Sequence, residues 1–218
     1  MKIIKYISLL FIALGVASCE KHEIEYMTTP VDQGMAEIQL HYFVPVTAVA
    51  GNNIYKVEIG GQEYVNNGAA VISTYNATPS GSVGRFYAVK AGDVNIKLYK
   101  GSDLELVYDK NVTLSAGKQN IFVYDFEKEP IVFDNGYPYD TNITTDTDST
   151  CWVKFYHFMY EKEGEYCPLK LQYQYQYIKD PKTGEKSEWI NIGKPIGFGE
   201  TTGWQPIRVI KSIFNTSG

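Results

Sequence analysis

The stretch "GDVNIKLYKGSDLELVY", Gly92–Tyr108, decides how the rest of the chain is read. It holds two alternating runs of strand length, Val94–Tyr99 and Leu104–Tyr108, either side of a turn at Lys100–Asp103. Glycine, serine and aspartate favour turns, and period-two runs flanking them predict a β-hairpin. Working outward, "AEIQLHYFVPV" alternates in the same way. Ile38, Leu40, Tyr42 and Val44 point to one side, and Glu37, Gln39 and His41 to the other. "IYKVEIGGQEYV" adds a second turn signal at Gly60–Gly61. No segment sustains a helical period, so the chain is expected to be all-β. Its 18 tyrosines and 19 glycines suit strands and turns better than helices.

Residues 128–149, "KEPIVFDNGYPYDTNITTDTDS", are dense in Asp, Asn, Thr and Pro and read as a linker. Beyond it the alternation restarts. "AEIQLHYFVP" overlays "CWVKFYHFMY" without a gap, setting Ile38 on Val153, Leu40 on Phe155, Phe43 on Phe158 and Val44 on Met159. The expected architecture is two Ig-like or transthyretin-like antiparallel β-sandwich units in tandem, 36–127 and 150–218. The second unit is shorter and has no counterpart of "LSAGKQNIFVYDF", so a closing strand is expected to be missing. A truncated record, a smaller second domain or a strand supplied by a partner each account for that. Open strand edges recruit other strands.

The N-terminus, "MKIIKYISLLFIALGVASC", pairs basic Lys2 and Lys5 with an apolar run from Ile7 to Val16. A bilayer core of ~30 Å needs about 20 apolar residues, so this run is too short to span. It reads as a signal peptide, residues 1–18. "VASC" resembles the lipobox of bacterial lipoproteins, which implies cleavage before Cys19 and a diacylated thiol. The following "EKHEIE" resembles the surface-export signal of Bacteroidetes lipoproteins. Residues 19–35 then form a lipidated tether. The protein is expected at the outer membrane facing outward, with the periplasmic side as the alternative. "VKAGDVNIKLY" and "LSAGKQNIFVYDF" are similar to the Ala-Gly strands of a bacterial β-sandwich family that occurs in tandem on exported and lipid-anchored proteins. That resemblance implies fold and carries no active site. Acidic residues outnumber basic ones, 25 to 20, and no basic stripe exists, which argues against a nucleic-acid partner.

Catalytic chemistry finds little purchase. The three histidines share no metal-ligand spacing, and no cysteine pair has zinc spacing. "SAGKQN" lacks the upstream glycine and the hydroxyl residue of a phosphate loop. Asp140, Asn142, Asp146 and Asp148 supply oxygen ligands without the spacing of a calcium loop. No cofactor, metal or enzymatic activity is expected. Cys151 and Cys167 begin successive strands, which separates them in one hairpin and lets them pair only across two sheets.

The aromatic residues remain. In "LKLQYQYQY", Leu169–Tyr177, three tyrosines share a face with two leucines, while Lys170 and three glutamines share the other. Continuity with leucine marks the tyrosine face as the inner wall of a sandwich, with Tyr177 at the strand end closest to water. Trp189 lies opposite the apolar Ile190 and Ile192, and Trp204 sits in the Gly/Pro-bounded loop "ETTGWQP". Trp189, Trp204 and Tyr177 are therefore the candidate ligand contacts. The function expected is a non-catalytic binding module for a glycan or an envelope protein. The alternative is a structural, adhesive subunit akin to fimbrillins, assembling by strand exchange.

Overall fold

The computed structural model describes residues 34–79, 86–135, 150–162, 164–180 and 182–208. The signal peptide, Cys19 and the acidic residues Asp140, Asn142, Asp146 and Asp148 lie outside the described residues.

Alternation becomes architecture in the first half. Nine strands form there among the described residues: β1 (Met35–Tyr42), β2 (Ile54–Ile59), β3 (Gln62–Val65), β4 (Asn76–Thr78), β5 (Tyr87–Lys90), β6 (Gly92–Lys100), β7 (Glu105–Leu114), β8 (Gly117–Val123) and β9 (Ile131–Asp134). In one sheet β1 runs parallel to β8 and antiparallel to β4 and β5, and β9 extends the sheet beyond β8. The second sheet has the order β3-β2-β6-β7, antiparallel throughout. Ile38, Leu40 and Ile121 of the first sheet face Val57, Ile96 and Leu98 of the second in one buried core. The chain is an all-β sandwich.

Both hairpins form where turn chemistry places them. Gly60 and Gly61 take φ of +59° and +81°, the left-handed pair whose twist matches a two-residue hairpin. The β6–β7 hairpin closes with Lys100 opposite Glu105. The polar linker, in contrast, begins later than composition indicates. Ile131–Asp134 lies inside the stretch read as linker, yet it pairs with β8 as β9. Its three apolar residues are too few to stand out between Pro130 and a run of Asp and Asn.

Burial along β8 departs from simple alternation. Gln119 to Val123 are all buried, the mark of a strand covered on both faces. The second cover comes from the C-terminal part of the chain. There β10 (Thr150–Val153) pairs with β17 (Gln205–Arg208), β11 (Tyr160–Lys162) with β12 (Glu165–Tyr166), β13 (Leu171–Tyr175) with β16 (Ile190–Ile196), and β14 (Ile178–Asp180) with β15 (Glu185–Lys186). These are two-stranded ladders, which are marginal alone and depend on packing against something else. All the described residues belong to one compact unit, Asp32–Gly218.

The packing partner is the outer face of the first sheet. Phe122 stacks on His41 at 4.1 Å and on Phe158 at 4.6 Å, and Phe133 lies 5.0 Å from Tyr156. Gly199 sits so close to β9 that a Cβ there would come within 2.9 Å of the tip of Ile131. The overlaid stretches therefore differ in pairing. β1 is a central strand, whereas residues 154–159 cross the outer face of its sheet.

Candidate functional site

The tyrosine comb sorts itself by face. Tyr173 stacks on Phe155 at 4.6 Å and 11° and donates its hydroxyl to the Tyr156 carbonyl at 3.0 Å. The Tyr175 hydroxyl accepts the Arg208 backbone N–H at 3.1 Å. Tyr177 lies under the Arg208 guanidinium, 4.8 Å from its ring. The three rings thus pack internally, half-buried, between the β13–β16 ladder and the β10–β17 region. Tyr177 makes its closest polar approach to Arg208, 3.5 Å from the guanidinium nitrogen to its hydroxyl.

The other face of the same ladder is polar. Gln174 pairs with Asn191 across the strands and donates its amide to Asn191 Oδ1 at 2.7 Å. The alternation that turns Asn191 outward carries Trp189, one residue ahead of β16, to the same side. Trp189 is 62% exposed. An indole face beside a fixed amide pair offers a flat apolar surface with directional hydrogen-bond groups at its edge.

Trp204 has a different occupation. Its indole N–H donates to the Asn135 carbonyl at the end of β9. Lys154 reaches the same place, donating to the Asp134 carbonyl at 2.8 Å with its ammonium 5.8 Å from the Trp204 ring. Burial pushes the Lys154 ammonium below the usual lysine range, with Asp134 opposing. Together they clamp the C-terminal ladders to β9, so sequence reasoning placed in a binding loop a side chain whose polar atom is committed to the fold. His157 is fully buried with both ring nitrogens engaged: Nδ1 accepts the Met159 N–H, and Nε2–H donates to the Leu169 carbonyl. Cys151 and Cys167 are free thiols.

A feature that sequence reasoning missed is a cleft of about 490 Å³ where β11–β12 meets the loops after β1 and β8. Tyr124, Phe126, Tyr160 and Tyr166 wall it. The Tyr166 ring is stacked on Phe198 at 4.2 Å. Its hydroxyl accepts from Lys128 Nζ at 2.6 Å and donates to Asp125 Oδ2 at 3.2 Å. That hydroxyl holds the Lys128 ammonium above the usual lysine range. Tyr160 donates to the Tyr124 carbonyl, and burial raises its pKa beyond the ordinary tyrosine value. The only sequence signal was two aromatic clusters, "VYDF" and "EYCP", some 40 residues apart (Tyr124 and Tyr166), with nothing to join them.

No family model, curated protein or solved structure matches the chain.

Proposed function

We propose that the chain is a non-catalytic binding module of the cell envelope that takes a glycan or a protein on the outer face of β13–β16. The lipobox-like "VASC" supports anchoring through Cys19 at the outer membrane, with the module facing outward. The observation that carries the reading is Trp189, 62% exposed beside the Gln174–Asn191 amide pair. Tryptophan is enriched among the residues that carry binding energy at recognition surfaces. Of the residues singled out in the sequence, Trp189 is the contact with an uncommitted face. Tyr177 is already covered in part by Arg208.

Affinity gel electrophoresis against a panel of polysaccharides tests this. Trp189→Ala is expected to weaken retention about tenfold, the loss of ~1.4 kcal/mol that an aromatic contact supplies. Trp204→Ala is expected instead to lower the unfolding midpoint, because it cuts the clamp on Asn135. No retention of the wild type on any polysaccharide, or no effect of Trp189→Ala, would remove the glycan reading.

A further inference from the structure

We propose a second binding site, in the tyrosine-walled cleft between β11–β12 and the loops after β1 and β8, whose ligand is an uncharged saccharide of one or two rings. The site is distinct from the β13–β16 face and does not depend on it.

Three observations carry the assignment. The cleft encloses about 490 Å³, within the range of ~300–1,000 Å³ in which small-molecule sites fall. Its walls mix aromatic carbon with polar groups that are fixed in place. Tyr160 is pinned to the Tyr124 carbonyl, Tyr166 between Lys128 and Asp125, and Asn52 through its amide to the Thr47 carbonyl at 2.9 Å. A ligand therefore loses little to the ordering of side chains on arrival. Sugar rings present apolar C–H faces and directional hydroxyls, which suit tyrosine walls and carboxylate or amide edges respectively.

The third observation is charge, and it selects among ligands. Among the described residues, the charges around the cleft are matched apart from Glu127. Lys128 and Asp125 are joined through Tyr166, and Lys100 pairs with Glu105 at 3.2 Å. Asp125 Oδ1 also accepts the Glu127 backbone N–H at 2.9 Å. Glu127 itself lies on the exposed rim, where water screens it. Among the described residues an anion entering the cleft meets Asp125 and Glu127 with no cation free to pair it, and a cation gains only Glu127, whose pull water screens. An uncharged polyol needs no such partner: Asp125 and Asn52 keep lone pairs for its hydroxyls.

Saturation-transfer NMR on the full chain tests this with cellobiose, maltose and N,N′-diacetylchitobiose as uncharged probes. Digalacturonate and fully deacetylated chitobiose serve as charged comparators. At least one uncharged probe is expected to show transfer, and both charged comparators are expected to bind more weakly. Thr47→Trp, at an exposed position on the rim, fills the mouth without disturbing the core and is expected to abolish the signal. Tyr166→Phe keeps the stack on Phe198, loses the hydroxyl relay and is expected to weaken binding about tenfold. The Trp189→Ala protein, which loses gel retention under the reading above, keeps the disaccharide signal. The assignment is overturned if no uncharged probe binds, if Thr47→Trp binds like the wild type, or if a charged comparator binds more tightly. Signals that vanish with Trp189→Ala and survive Thr47→Trp put the sugar on the sheet face, ending the second site and sparing the first.

Discussion

His41 shows how a single residue carries information about a layer. Its ring lies parallel to Phe122, and Nε2 donates to Asn120 Oδ1 at 3.0 Å. Burial lowers its pKa below the ordinary 6.5, and the Asn120 bond opposes that without reversing it. The unfolded chain therefore takes up the proton more readily than the folded one. The stability contribution is complete above pH 6.5 and is lost as pH falls from there through the depressed folded value. Urea unfolding at pH 7.5 and pH 5.5 should show a lower midpoint at the acid pH. His41→Gln, which keeps a donor for Asn120 and cannot titrate, should reduce that difference. An unchanged difference would mean that the acid loss originates elsewhere. In the sequence His41 reads as an outward polar position, and it does point away from the sandwich core. That outward side is nevertheless half-buried, because His41 stacks on Phe122, which is itself stacked on Phe158.

At the scale of elements, the open question is the edge of β7. Among the described residues β7 pairs on one side only, with β6, and leaves ten residues of unpaired edge. Such an edge is the feature that favours the fimbrillin-like alternative, assembly by strand exchange. Register supplies a counterargument. Lys110 lies opposite Ile96, a fully buried core residue, so the lysine sits on the inward face of the edge strand. An inward-pointing charge at an edge obstructs docking of another strand, because the docking would bury it. Lys110→Val is therefore expected to raise self-association, read as a concentration-dependent shift in sedimentation, while the wild type stays monomeric. A wild type that already oligomerises through β7 would reverse this argument and revive the alternative. Hairpins such as β2–β3 and β6–β7 were legible in the sequence because their signals are local: alternation and turn residues within about 20 positions. β9 and the β11–β12 and β14–β15 ladders were not, since strands of two to four residues carry too little pattern to read.

For the whole molecule, what sequence pattern cannot disclose is which surface covers which. Phe43, Phe122, Tyr124 and Phe133 alternate with core residues and look like one more inner wall, and the tyrosine comb looks like another. The structure joins the first of these to Phe158, Tyr156 and Phe198 of the C-terminal part, making three layers around the first sheet. Because the ladders have no large core of their own, their order should depend on that aromatic layer. Two substitutions on neighbouring residues of β8 separate the layers. Ile121 faces the sandwich core, and Phe122 faces the C-terminal ladders. Phe122→Ala removes a ring packed against five others and is expected to cost about 3–5 kcal/mol. Ile121→Ala is expected to cost about 2–5 kcal/mol, so the totals overlap and the discriminating readout is local. Hydrogen exchange should quicken first in β13 and β16 for Phe122→Ala, with β2 and β6 still protected, because the ladders lose their platform while the two facing sheets keep theirs. Ile121→Ala should loosen β1, β2 and β6 together with the ladders, since whatever opens the sandwich also opens the surface on which the ladders rest. Equal loosening of every strand by Phe122→Ala would mean that the layers unfold as one, and the cleft at their junction would then be as rigid as the core beneath it.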